Sequence, residues 1–186
     1  MGMNDWVCDK FEWDDNVSYN KGKVLDYEAL EKIDSFGRYL DSDNDGICYR
    51  TYPGTHPEKG AYFTRGTSHD EYARYTEDGN INAQTLTRLM RKFRTATDLV
   101  PEPIIEINGE DSCGVIYYGS SKPAVLEAKD ILKTKNINLD LMQIRSFPFN
   151  LDVWEFIANH DRIYVVEQNR DSQMRTLIMA EGGISA

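Results

Sequence analysis

The chain has 186 residues, of which 40% are hydrophobic and 28% charged, a balance typical of a folded globular protein and not of a disordered one. Its net charge of −10 argues against nucleic acid as a partner, because duplex binding is driven largely by Lys and Arg neutralising phosphates. No apolar run approaches the ~20 residues of a membrane span, and the start Met1-Gly-Met-Asn-Asp-Trp6 has no basic segment leading into an apolar one, so a cytoplasmic protein without a membrane partner is expected.

The charge is unevenly placed. Residues 1–80 carry 9 Lys and Arg against 17 Asp and Glu, a balance of −8 that leaves −2 for the remaining 106. The same stretch holds eight of the eleven tyrosines together with Trp6, Phe11, Trp13, Phe36 and Phe63. Its helical signal is short: Asp26 is placed to cap Tyr27-Glu-Ala-Leu-Glu-Lys-Ile33, with acids in the first turn. Without periodicity the stretch cannot build a core of its own, so its rings are expected to cover the downstream domain, an upstream domain or a partner chain. We read residues 1–80 as an irregular aromatic and acidic arm and interdomain linker.

Within the arm, Asp41-Ser-Asp-Asn-Asp-Gly46 carries the first half of a calcium loop. Asp41, Asp43 and Asp45 stand at alternate positions, where their carboxylates can converge on one hard cation; Gly46 allows the sharp turn and Ile47 offers its carbonyl. The twelfth loop position, where a bidentate glutamate belongs, is Tyr52. A calcium site and a solvated acidic turn both remain open on this pattern. His56 and His69 lie in the long loop that follows, and His160 near a predicted helix end; packing or solvated roles are expected for each. Cys8, Cys48 and Cys113 form no C-x-x-C pair, which fits plain thiols in a reducing compartment.

Asn82 is positioned to cap a helix over 82–99, in which Leu86, Leu89, Met90, Phe93 and Ala96 make one apolar stripe for docking on a core. Arg88, Arg91, Lys92 and Arg94 read as its solvated basic face. Pro101-Glu-Pro103 then ends the helix and favours extended backbone. Three strand-to-helix units follow, opening with Gly114–Tyr118, Leu139–Ile144 and Arg162–Val166. The alternation predicts a three-layer α/β/α domain with a mainly parallel sheet, residues 81–186: the helix, then βαβαβα.

Ligands and partner domains meet such sheets at the carboxyl ends of the strands, where Gly119-Ser120-Ser121, Phe147–Phe149 and Glu167-Gln168-Asn169 are expected to share one edge. The glycine and two hydroxyls ahead of a helix suit a phosphate, or serve as an ordinary N-cap. Glu167, Gln168, Asn169 and Arg170, with Ser120 and Ser121, are expected to make interdomain hydrogen bonds. No catalytic constellation and no cofactor-binding motif is present in the residues.

The run Asp41-x-Asp-x-Asp-Gly-Ile-x-Tyr-Arg-Thr-Tyr-Pro-Gly-Thr-His-Pro-x-Lys-Gly-Ala-Tyr-Phe-Thr-Arg-Gly66, with His69-Asp-Glu-Tyr72 and Tyr75-Thr-Glu-Asp78, resembles the alpha subunit of 2-oxoacid:ferredoxin oxidoreductases, the 2-oxoglutarate type especially. Val115-Ile-Tyr-Tyr-Gly-Ser120, Arg145-x-Phe-Pro-Phe149 and Val165-Val-Glu-Gln-Asn-Arg-Asp171 resemble the same subunit in the same order. The resemblance implies a transketolase C-terminal-like domain from a complex that decarboxylates a 2-oxoacid oxidatively to an acyl-CoA. It further implies thiamine diphosphate, Mg, iron-sulphur clusters and CoA in that complex, with ferredoxin as electron acceptor. The upstream pyrimidine-binding domain and the beta subunit are the implied partners. The pyrimidine-domain motifs have no counterpart in this sequence, so the chain resembles a C-terminal fragment, expected to be inactive alone and to carry no cofactor itself. The alternative is an independent calcium-binding interaction module built on the loop from Asp41 to Asp45.

Overall fold

Short runs rich in apolar residues make the strands, β-branched or aromatic in all but β3. In the computed structural model β1 spans Ile104–Glu106, β2 Cys113–Tyr118, β3 Asp140–Ile144 and β4 Arg162–Val166. The structure describes residue 10, residues 12–108 and residues 113–184; Trp6, Cys8 and Phe11 lie outside the described residues. The strands are ordered β1-β3-β2-β4, with β2 parallel to both β3 and β4 and β1 antiparallel to β3. The sheet is thus mixed and mainly parallel, as expected. The edge strand β1 is an addition, since three residues after Pro103 carry too little pattern to announce a strand.

Strand alternation sorts the core onto two faces. Val115, Tyr117 and Leu141 point one way, against Val125 of α3 (Lys122–Lys133). Ile116, Met142 and Ile144 point the other way, against Val153 and Phe156 of α4 (Leu151–Ala158) and Ile178 of α5 (Gln173–Gly182). The three layers follow from that parity: one helix, the sheet, two helices. Each fully buried aliphatic side chain here is worth about 1.5–3 kcal/mol.

Gly114 sets the distance between the sheet and α4. A Cβ at this position would stand 2.8 Å from both Phe156 Cε1 and Ile163 Cδ1, so the helix seats against bare backbone. His160 fixes the other end of α4. Its Nδ1 donates to the Phe156 carbonyl at 2.6 Å, and its Nε2 lies 3.1 Å from Asp140 at the start of β3. Asp140 also accepts from the Asn108 amide at 2.7 Å, tying helix end, β3 and the segment after β1 together. The expectation of a packing histidine at a helix C-terminus fits these contacts.

Residues 12–98 are stitched differently. The chain divides into two compact units, one ending at Asp98 and the other resuming at Leu99, so the long helix α2 (Gly79–Ala96) goes with the arm. The expected boundary near residue 80 is displaced to the far end of that helix. Its cap is Asp78, which accepts from the Asn80 amide at 2.8 Å, and not Asn82, which lies inside the helix. Among the described residues of this unit only Leu30 and Ala73 are buried apolar side chains. Leu30 belongs to α1 (Tyr27–Glu31), which Asp26 caps as expected by accepting from the Ala29 amide.

Polar clamps hold the rest of the arm. Lys59 Nζ donates to the carbonyls of Leu30, Glu31 and Ile33, closing the C-terminal end of α1. His56 accepts at Nδ1 from the Glu58 and Lys59 amides, which leaves its proton on Nε2, 2.5 Å from Glu31. His69 stacks on Tyr39 with ring centroids 3.8 Å apart. Both histidines serve packing.

Gly114→Val forces side-chain carbons against Phe156 and Ile163, and is expected to cost about 1–3 kcal/mol. The urea midpoint of unfolding, followed by Trp154 fluorescence, measures this.

Candidate functional site

Two places in the fold gather polar groups. The first is the acidic loop, which packs on α2. Gly46 has φ +83°, and a Cβ there would fall 2.2 Å from the Lys92 backbone nitrogen and 2.8 Å from the Arg88 carbonyl oxygen. The loop therefore touches the helix backbone, which only glycine permits. Around this contact Arg88 donates to the Gly46 carbonyl at 3.0 Å, Thr95 to the Asp45 carbonyl at 2.6 Å, and Arg91 to Asp41 at 2.6 Å and Asn44 at 2.7 Å.

The carboxylates of the loop do not converge. Asp41 accepts from the Gly46 amide and turns towards Arg91, whereas Asp43 and Asp45 each lie 2.6 Å from Lys23 Nζ. Ile47 contributes its amide, donated to Asp45 at 2.8 Å. Among the described residues no three His, Cys, Asp or Glu side chains are grouped to hold a metal ion. In the structure the alternating aspartates take two cations of the chain itself, Lys23 and Arg91.

Their electrostatics agree. Hydrogen bonds from Lys23 hold Asp43 and Asp45 below the ordinary carboxylate value, with Tyr49 assisting at Asp43 and the Ile47 amide at Asp45. Burial works to lower the Lys23 pKa, but the hydrogen bonds to Asp43 and Asp45 outweigh it and raise it above its ordinary value. A cavity of about 550 Å³ lies beside this clamp, lined by Tyr39, Asp41, Glu71, Gln84, Arg88 and Arg91. Two of its charged groups, Asp41 and Arg91, are already paired with each other. The basic residues read as a solvated face are thus partly the glue of the unit.

The second place is the carboxyl edge of the sheet. A 3-10 turn, Gly119–Ser121, leads from β2 into α3, and residues 167–172 lead from β4 into α5. Those two helices lie on opposite faces, so the gap between the ends of β2 and β4 is a switch point of the topology, where open α/β sheets take ligands. A cleft of about 350 Å³ opens there, lined by Tyr118, Gly119, Ser120, Ser121, Gln168, Asn169 and Gln173.

The residues expected to bond a neighbouring domain divide into four kinds. Glu167 is spent internally: its carboxylate accepts from the Met174 and Arg175 amides, at 2.9 and 3.3 Å, and from Asn169. Burial works against ionisation, but these donors outweigh it and hold Glu167 below its ordinary value. Asn169 in turn accepts from the Gln173 amide and donates to the Tyr118 hydroxyl. Gln168 donates to Ser120 across the cleft at 3.1 Å. Arg170 is exposed and bonds only to Asp171 among the described residues.

Ser121 is different again. It is 5% exposed, supplies no cap to α3, and lines the cleft. Phe149, expected at the same edge, goes instead into the helical layer, edge-on to Trp154. Sequence reasoning missed Tyr118 and Gln173 as cleft residues and Lys23 as the partner of Asp43 and Asp45. Gln173 had a signal, being the first residue of the third helix, whereas Lys23 had none.

No carboxylate group among the described residues is arranged to carry a divalent ion for a diphosphate. Cys48 and Cys113 are free thiols, and burial pushes the Cys48 thiol up.

Taken together, fold and cleft define a three-layer α/β unit with a polar switch-point cleft, preceded by a charge-clamped arm. No family model matches the chain. It is 28% identical over 174 residues to a 2-oxoacid:ferredoxin oxidoreductase alpha subunit of Aeropyrum pernix, covering 90% of this chain and 26% of that one. To the corresponding subunit of Saccharolobus solfataricus it is 26% identical over 175 residues, again 26% of that chain. Among solved structures the 2-oxoglutarate:ferredoxin oxidoreductase of Magnetococcus marinus shares the fold, with a TM-score of 0.71 at 23% identity over 86% of this chain and 27% of that one. The recognition drawn from the long loop is borne out: the chain is a homologue of a segment of these alpha subunits, spanning about a quarter of their length.

Gly46→Ala is expected to cost about 2 kcal/mol or more, because the added methyl meets helix backbone and the residue must keep a positive φ. A fall in melting temperature with loss of α2 protection in hydrogen exchange checks this. The Lys23 clamp has a defined pH sense. Because Asp43 and Asp45 titrate lower in the folded chain, their contribution is present above the ordinary carboxylate pKa and is lost as pH falls through the depressed values. In an NMR acid titration the Ile47 amide should therefore hold its position until below about pH 4, and Lys23→Met should move that transition upward.

Proposed function

We propose that this chain is a structural and interface segment of the alpha subunit of a thiamine-diphosphate-dependent 2-oxoacid:ferredoxin oxidoreductase, 2-oxoglutarate being the 2-oxoacid. Its task is to hold neighbouring parts of the complex in register; the decarboxylation belongs to domains that the aligned segment does not include. An upstream pyrimidine-binding domain and a beta subunit are the partners of this reading, with ferredoxin taking electrons from the assembled complex.

One observation carries it. The 18-residue helix α2 has no buried residue, and its apolar stripe is open: Leu86, Leu89 and Met90 are 54, 43 and 59% exposed. Tyr52, Tyr62, Phe63 and Tyr75 add exposed rings on the same unit. A soluble monomer seldom leaves such a stripe bare, and polypeptide laid against it explains both the helix and the aromatic content of the arm. The names of the relatives support the identity of the complex, and the neighbour solved with 2-oxoglutarate, coenzyme A and succinyl-CoA supports the substrate.

The purified chain should not reduce ferredoxin or viologen dye with 2-oxoglutarate and CoA, and should associate with a co-expressed beta subunit. Leu89→Glu with Met90→Glu should abolish that association while leaving the far-UV circular dichroism unchanged. Turnover by the chain alone, or association indifferent to these charges, contradicts the reading.

A further inference from the structure

Helix α2 runs against the charge of the rest of the chain. It holds four cations, Arg88, Arg91, Lys92 and Arg94, and no acidic side chain, in a protein whose net charge is −10. Two of the four are committed, since Arg88 and Arg91 bind the acidic loop, with Thr95 beside them. Lys92 and Arg94 are exposed and form no ion pair among the described residues.

The helical period decides where those two stand. At about 100° per residue, Leu86, Leu89 and Met90 share roughly 100° of arc, with Arg94 about 40° beyond Met90 and Lys92 about 60° beyond Leu89. Arg88, Arg91 and Thr95 fall on the opposite side, where the loop lies. The open apolar stripe therefore has a cation on each rim and an anion on neither.

Three kinds of occupant treat that rim differently. A second copy of the chain offers another helix with four cations and no anion, and brings a further net charge of −10 to the surroundings, so like charges meet on both counts. An anionic membrane offers anions to the rim, but it must face a broad surface of an acidic chain with two free cations, where polybasic anchors use about four to eight. A helix whose own apolar stripe is edged by Asp and Glu satisfies both parts of the surface. Its anchors enter the stripe at helical spacing, and its acidic edges meet Lys92 and Arg94. Its contact is confined to the stripe, and acidic groups elsewhere on the chain are screened beyond about 8 Å.

We propose that the α2 stripe binds an amphipathic helix with acidic flanks, supplied by a partner chain of the complex. The inference rests on the docking role assigned to α2 above and adds the chemistry of the partner.

Two labelled helical peptides test it, alike in their leucine stripe and flanked by glutamate in one and by lysine in the other. Fluorescence anisotropy with the purified chain should show saturable binding of the glutamate peptide, about tenfold or more tighter than the lysine peptide, with the difference shrinking as salt rises. Lys92→Glu with Arg94→Glu should reverse the preference, and Lys92→Gln with Arg94→Gln should level it, the far-UV circular dichroism staying as in the wild type. The double glutamate variant should also weaken association with a co-expressed beta subunit. Association lost in Leu89→Glu with Met90→Glu but undiminished in Lys92→Glu with Arg94→Glu would leave α2 a docking face and overturn the acidic partner. Equal binding of the two peptides, binding of neither, or sedimentation of the chain with phosphatidylserine vesicles would overturn it as well.

Discussion

The arm depends on one close approach, that of Gly46 to the backbone of α2. A loop that lies against helix backbone leaves no layer of side chains between them, so apolar packing cannot supply the contact energy. Hydrogen bonds and charge supply it instead: Arg88 and Thr95 reach loop carbonyls, Arg91 takes Asp41, and Lys23 closes the outer side through Asp43 and Asp45. Such clamps are individually modest near a surface and are screened by salt. They give a definite shape without a deep core, which agrees with a unit in which only Leu30 and Ala73 are buried apolar residues among those described.

The sheet unit is built on the opposite principle. Two apolar clusters sit on the two faces of four strands, and Gly114 and the His160–Asp140 pair set how closely α4 is seated. Because the two faces are covered by helices that follow different strands, the strand ends separate at β2 and β4, and the cleft is a by-product of the topology. Glu167 fills one of the two helix N-termini that flank it.

The residues announced much of this. The runs over Gly114–Tyr118, Leu139–Ile144 and Arg162–Val166 are short, largely apolar and flanked by helical periodicity, which places strands and layers from local pattern alone. The switch-point residues were legible too, because position after a parallel strand is enough to put them on one edge. What could not be read is which partner each polar group takes. Alternating aspartates converge on a metal or diverge towards basic side chains with the same spacing, and the deciding residue, Lys23, lies about twenty positions upstream with no motif to mark it. The stripe of α2 has the same ambiguity: periodicity shows that an apolar face exists, and not that the basic face is the one that packs. The cap at Asp78 was missed because Asn82 is an equally good capping residue and only the tertiary position of the loop favours the earlier start.

These choices make the acidic loop the sharpest point of the account, which holds that the loop's carboxylates are engaged by the chain's own cations. Two-dimensional ¹H–¹⁵N spectra of the labelled chain, recorded as calcium is added to millimolar excess, address it at the Gly46 and Ile47 amides, which donate to Asp41 and Asp45. The account predicts that both resonances stay where they are, with Lys23 still bound to its two carboxylates. A saturable shift of both, accompanied by release of the Lys23 ammonium, would contradict it.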